Sequence, residues 1–162
     1  MIIIVVITLI GWIIMNSIFN TNLEISLRLL LTLYVVEKDK TLDALVISDF
    51  VTVYAKDFNL GISNLHGDNE FSYTEFAARR SQSLDAVKAL VGRNLVTILE
   101  TADGFAYSIT DRGITVCDSM TTQYAADYIN TAYKVEEFVN MQSTTELMSK
   151  ISKSALRKNE WR

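Results

Sequence analysis

The stretch "GRNLVTILETADGFAYSITDRG", residues 92–113, has the pattern of a helix end, two short strands and a new helix. Apolar and polar residues alternate in 96–99 and again in 105–109, the period of two that half-buried strands show. Asp103 and Gly104 predict the two central residues of a tight turn, where positive φ is needed. We therefore expect a β-hairpin, positioned as the wing of a larger helical fold.

The segment before the hairpin predicts two short helices. Ser72 and Glu75 have the spacing of a capping box, which predicts a helix start at this point, and the helix should run to Arg80. After a brief polar turn, a second helix is predicted from Leu84 to Arg93. Two short helices joined by such a turn and followed by a hairpin have the order of a winged helix.

Two amphipathic helices are predicted upstream. Thr21 and Glu24 form another capping-box pattern, and Thr41 is the predicted N-cap of the second helix, on whose apolar face Asp49 also falls. The apolar stripe of the first helix is predicted to contain Leu23, Leu27, Leu30, Leu31 and Tyr34. Residues 57–71 lack periodicity and are expected to form a long loop.

Downstream of the hairpin, Thr110 is the predicted N-cap of one long helix that continues through "FVNMQ". Ser143 and Glu146 then predict the start of a last helix, with Leu147 and Ile151 on its apolar face. The predicted fold class is mainly α with a small β-hairpin, comprising a winged-helix-like core and long C-terminal helices.

Three regions are predicted from composition and pattern: a hydrophobic leader at 1–19, a winged-helix-like helical domain at 20–140 and a basic C-terminal helix and tail at 141–162. The leader is at the lower length limit for a membrane-spanning helix, and no Lys or Arg lies in the first 27 residues to orient it. A membrane anchor, a buried element and an extension upstream of a start at Met15 remain open alternatives.

The charge distribution argues against a protein that coats nucleic acid. The 162-residue chain has a net charge of −4, whereas phosphate binding needs clustered Lys and Arg. From residue 141 onward, however, the sequence contains five basic residues and only two acidic ones. This tail is consistent with either a partner contact or an ordinary solvated helix face. Its predicted contact residues are Lys150, Lys153, Arg157 and Lys158.

Direct DNA reading receives mixed support from the residues around the hairpin. From Arg79 to Arg93 the predicted helix pair carries four basic residues and only Asp85 as an acidic one, which favours nucleic acid. The wing carries Glu100 and Asp103, which would repel phosphate. The candidate contacts to DNA or to a partner protein are Arg79, Arg80, Lys88 and Arg93.

Residue types give little indication of catalysis. His66 is the only histidine, and Cys117 is the only cysteine and falls on an apolar stripe. Asp49, Asp57, His66 and Asp68 could hold a divalent ion, but their spacing is irregular. The alternative is that Asp49 and Asp57 fix the long loop by hydrogen bonds, with His66 packed beneath it. We expect no enzyme activity, no metal and no cofactor.

Several short segments resemble, in order, the middle component of bacterial ABC-three-component systems, which include the Lamassu-type anti-phage operons. The segments are "NLEISLRLLLTLYVVEKDKTLDALVISDFVTVYAKDF", "SNLH", "EFAARR", "KALVGRNLVTI" and "NEWR", within residues 20–162. The resemblance places the family's positions at Arg28, Asp49, Phe50, Asp57, Ser63, His66, Arg79, Arg80 and 93–96.

The resemblance implies a small accessory subunit, and the lack of a catalytic residue set in the sequence predicts that this subunit is not an enzyme. Its partners would be an SMC-like or ABC-type ATPase that senses foreign DNA and an effector that often carries a nuclease. Two other functions remain open: a winged-helix transcriptional regulator, and a membrane-anchored sensor held by residues 1–19. The accessory subunit and the regulator would be cytoplasmic, whereas the sensor would lie at the inner membrane.

Overall fold

The computed structural model describes residues 21–69 and 72–160, so the predicted hydrophobic leader lies outside the described residues. Within these ranges the chain forms six α-helices, one short 3-10 helix and three strands. Their bounds are α1 Asn22–Val36, β1 Lys40–Thr41, α2 Leu42–Val53, the 3-10 helix Ala55–Phe58, α3 Ser72–Gly92, β2 Val96–Thr101, β3 Gly104–Ile109, α4 Asp111–Asp118, α5 Gln123–Asn140 and α6 Thr144–Glu160. The prediction of a mainly helical chain with a small sheet is confirmed.

The predicted hairpin is present, with a third strand added. β2 and β3 pair in an unbroken antiparallel register, and β1 pairs with β3 on its other side, so the strand order is β1-β3-β2. The turn lies at 102–103, one residue earlier than predicted, because Thr101 pairs with Gly104. Gly104 has the expected positive φ of 109°, whereas Asp103 does not.

The predicted helix break inside 72–93 is wrong, because α3 is one continuous helix of 21 residues. No Pro interrupts this segment, and its polar "RSQS" run continues the helix: Ser81 and Gln82 are exposed while Ser83 is buried. The order α1, β1, α2, α3 and then the β2–β3 hairpin, with β1 on β3, is compatible with a winged-helix-like core. In that arrangement α2 and α3 are the helix pair.

A second helix boundary also differs from the prediction. The long helix after Thr110 is two helices, since α4 ends at Asp118 and the hydroxyl of Thr122 accepts from the backbone N–H of Ala125 to start α5. A threonine in this position competes with helix continuation by capping the next one. The predicted N-cap of α4 at Thr110 is confirmed by its bond from Gly113 N–H.

Most of the predicted caps are present. The capping boxes of Thr21 with Glu24 and Ser143 with Glu146 are formed, and Thr41 caps α2. The capping box predicted for Ser72 is wrong, since its hydroxyl is buried and has no hydrogen-bond partner among the described residues. Four of the five predicted N-caps are therefore present, and the exception is Ser72, although α3 does begin at this residue as predicted.

The core lies between α1 and α2 and is closed by α3, α5 and α6. The predicted apolar face of α2 is confirmed, including the burial of Asp49, but Leu23 at the start of α1 is 66% exposed. α6 packs onto α2 and α3, with Leu147 and Ile151 buried as predicted. None of the helices in the described ranges is long and apolar enough to cross a membrane.

Candidate functional site

The centre of the helical core contains a buried ionic cluster around Asp49 on α2. Arg28 on α1 donates to this carboxylate through Nε to Oδ1 at 2.7 Å and through Nη2 to Oδ2 at 3.1 Å. Arg79 on α3 donates from Nη1 to Oδ2 at 3.3 Å. Tyr128 on α5 donates from its hydroxyl to Oδ1 at 2.9 Å. One carboxylate thereby ties four helices together.

The cluster holds two guanidinium groups for one carboxylate. Burial alone would raise the pKa of Asp49, but Arg28, Arg79 and the Tyr128 hydroxyl lower it below its usual value. The guanidinium carbon of Arg79 lies 5.4 Å from the ring centre of Phe50 and 5.5 Å from that of Tyr54. These ring faces help to offset its buried charge.

His66, in the loop before α3, extends this polar region toward the surface. Its Nε2 lies 2.8 Å from the hydroxyl of Tyr124, and the two rings stack. Burial, followed by the neighbouring charge of Arg28, lowers the pKa of His66 to about 3. Burial likewise raises the pKa of Tyr124 to about 12. Both groups are therefore neutral at physiological pH.

A cavity of about 480 Å³ lies beside this pair, between α1 and the α4–α5 connection. Arg28, His66 and Tyr124 contribute to its wall, together with the apolar side chains of Leu27 and Leu31. A smaller cavity of about 300 Å³ lies between the 3-10 helix and α6. Its lining residues are Asp57, Phe58, Tyr73, Phe138, Leu147, Lys150 and Lys153.

A second buried ion pair fixes the sheet to the helices. Lys40 on β1 lies with its Nζ 2.8 Å from Oε2 of Glu136 on α5, and the hydroxyl of Ser48 on α2 donates to Oε1 of the same carboxylate at 2.8 Å. Sequence reasoning missed Lys40, Glu136 and Tyr128. The available signal was a polar or charged group on an apolar helix face, as at Glu136 beside Val135.

The carboxylates considered as metal ligands are engaged in protein hydrogen bonds. The amide of Asn64 donates to Asp57 at 3.0 Å and to Asp68 at 3.2 Å, and Lys56 pairs with Asp68 at 2.7 Å. For Asp57 the predicted role in fixing the loop is confirmed. Asp49 instead accepts hydrogen bonds from other helices of the core. In 21–69 and 72–160, no three or more His, Cys, Asp or Glu side chains are grouped to hold a metal ion.

The predicted contact residues are divided between core and surface. Arg79 is buried, which does not fit an exposed contact with DNA or protein, and Arg80 is exposed but pairs with Asp43 at 2.6 Å. Lys88, Arg93, Lys150 and Lys153 are exposed, as is Ser63 in the loop. The side chains of Arg157 and Lys158 lie outside the described part. For the exposed residues, contact with a partner stays a prediction.

Residues 18–160 match the family model of Middle Component 2 of the ABC-three component (ABC-3C) systems. The chain belongs to this family. No curated protein and no solved structure matches it. As a Middle Component 2 it is one part of a multi-component system, so partner subunits are implied. Several positions carried by the resemblance converge in the core of this Middle Component 2, since Arg28, Asp49 and Arg79 share one ionic cluster and His66 lies beside it.

Proposed function

We propose that the chain is a non-enzymatic adaptor in a cytoplasmic, Lamassu-type anti-phage complex. In this role it connects an SMC-like or ABC-type ATPase, which senses foreign DNA, to an effector such as a nuclease. The observation that carries the proposal is the family match over residues 18–160, because a middle component works together with other subunits. No step of chemistry is assigned to the chain itself.

The state of its reactive side chains supports the absence of catalysis. The only histidine is held neutral in a hydrogen bond to Tyr124. The only thiol, Cys117, is buried, and burial together with Asp118 raises its pKa to about 12. A thiol with so high a pKa is a poor nucleophile, because the thiolate is the reactive form. Both groups are consistent with structural roles.

The surface offers separate regions for different partners. Exposed Lys88 and Arg93 lie near the C-terminal end of α3, and exposed Lys150 and Lys153 lie on α6. The hairpin, by contrast, has acidic residues near its turn. Regions of opposite charge on one small domain suit an adaptor that contacts more than one subunit.

The proposal is tested by co-expressing the full chain with the other two components and purifying through a tag on this chain. Both components should co-purify. Charge reversal in Lys88→Glu/Arg93→Glu should weaken recovery of one of them, because charged residues at the edge of an interface mainly raise the rate of association. A defence assay with phage in the same cells should show a parallel loss of protection.

The matched control is Lys38→Glu/Lys134→Glu, which makes the same charge change at exposed sites away from α3. It should assemble like the unmodified chain. Failure of the unmodified chain to retain either component would overturn the adaptor proposal. Equal losses in both double variants would instead show that Lys88 and Arg93 do not lie at the contact with a partner.

A further inference from the structure

Strand β2 lies at an edge of the sheet. In the described residues it pairs only with β3, through six consecutive residue pairs from Val96 with Ile109 to Thr101 with Gly104. The register contains no bulge, so the opposite side of β2 presents a regular row of backbone donors and acceptors. An edge of this kind is a template for an added strand.

The hairpin also exposes apolar side chains. Ile98 is 48%, Leu99 40% and Phe105 63% exposed. Ile98 and Leu99 are consecutive residues of β2 and pair with Tyr107 and Ala106 in a regular register. Because successive side chains of a strand alternate, these two point to opposite faces of the sheet. A strand added along β2 would therefore cover apolar surface on both faces.

Two of the devices that commonly protect a free edge are missing from β2. Its sequence VTILET contains no Lys and no Pro, the residues with which soluble proteins commonly block edge pairing. In residues 94–110 the only charged side chains are Glu100 and Asp103. The edge is thus apolar and acidic, which disfavours phosphate and favours a basic partner.

We propose that β2 docks an extended segment from another subunit of the same system, in which Lys or Arg side chains alternate with apolar ones. The inference rests on the adaptor function proposed above. A second copy of the chain fits less well, because its own β2 would bring Glu100 and no basic residue. Backbone bonds would supply affinity, and the acidic hairpin would select the charge of the incoming strand.

The test uses the full chain in complex with its co-expressed components. In the variant Ile98→Lys/Phe105→Lys the exposed apolar surface becomes basic, and the partner that contacts the hairpin should bind at least about tenfold more weakly. Hydrogen–deuterium exchange should show that β2 amides are slower to exchange in the unmodified complex than in the isolated chain. Sedimentation of the isolated chain should show a monomer.

The control Ile62→Lys/Met141→Lys places the same new charges at residues that are 99% and 82% exposed outside the sheet, and it should bind normally. Unchanged affinity in the hairpin variant, or unchanged β2 exchange on assembly, would overturn the docking inference and leave the adaptor function standing. A dimer that the hairpin variant abolishes would assign the edge to a second copy instead, and slowed β2 exchange with duplex DNA would assign it to nucleic acid. If the unmodified chain retains no component, the adaptor function and this inference both fall.

Discussion

At the scale of single residues, Asp49 is the side chain that neutralises the buried arginines of the helical core. It is the only carboxylate bonded to both Arg28 and Arg79 in the core that the structure describes. A buried pair is not in itself strongly stabilising, because desolvation of the ions opposes their attraction. Removing one partner is costly, however, because the remaining charge then lacks compensation.

Asp49→Asn should lower the free energy of unfolding by about 3–5 kcal/mol, because two buried guanidinium groups lose their counter-charge. The control Asp43→Asn breaks the exposed pair with Arg80 and should cost less than about 1 kcal/mol. Urea denaturation followed by circular dichroism measures both. Equal losses in the two variants would show that the buried cluster contributes no more to stability than the exposed ion pair.

His66 should make stability dependent on pH in a defined window. Its pKa in the folded chain is about 3, below its ordinary value of 6.5, so the unfolded chain binds the proton more readily. Protonation of His66 therefore leaves the free energy of unfolding nearly unchanged above pH 6.5 and lowers it as pH falls toward 3. Between pH 6.5 and 5 the loss should reach up to about 2 kcal/mol.

The variant His66→Gln should remove this slope, since the chain contains no other histidine. Unfolding free energies of the two proteins, measured by urea titration at intervals between pH 5 and 7, provide the comparison. A slope that persists in the variant would assign the titration to another group.

At the scale of elements, α4 approaches the base of the hairpin so closely that only glycine fits. A Cβ at Gly113 would lie against the carbonyl oxygen of Leu95, 2.7 Å from Cγ1 of Ile109 and 3.3 Å from Cδ1 of Leu30. The first neighbour is backbone at the start of the hairpin, and it cannot move without disturbing the bond from Thr110 N–H to the same oxygen. Gly113 thereby fixes how α4 sits against the sheet.

Gly113→Ala should destabilise the fold by roughly 1–3 kcal/mol, because the added methyl group overpacks this contact. Gly92→Ala is the matched control, since no neighbouring atom lies within 4 Å of its Cβ position. That substitution should be neutral or stabilising. Thermal unfolding of both variants decides the matter, and a Gly113 variant as stable as the control would contradict the close approach.

The elements also show which features the sequence could predict. Thr21 with Glu24 and Ser143 with Glu146 were predictable because a capping box depends on residues three apart. The break expected in α3 was wrong, since a polar run that contains no Pro or Gly does not end a helix. The bond between Asp49 and Tyr128 joins residues 79 positions apart, and only tertiary packing brings them together.

At the scale of the whole molecule, charge is divided between a basic C-terminal region and an acidic remainder, with an overall net charge of −4. The hairpin belongs to the acidic part through Glu100 and Asp103. In a DNA-reading winged helix, basic wing residues contact the phosphate backbone. The isolated chain is therefore expected to be a weak DNA binder even though its core is compatible with a winged helix.

The isolated chain should bind duplex DNA no more tightly than about 10⁻⁶ M at physiological salt, and without sequence preference. Changing the wing in Glu100→Lys/Asp103→Lys should tighten binding and steepen its salt dependence, because the hairpin then attracts phosphate. Asp127→Lys/Glu137→Lys alters two exposed acidic residues of α5 and controls for net charge alone. Fluorescence anisotropy at several salt concentrations measures all three proteins. Sequence-specific binding by the unmodified chain near 10⁻⁸ M would favour a transcriptional regulator over an adaptor. Equal tightening in both double variants would show that total charge, rather than the hairpin, governs contact with DNA.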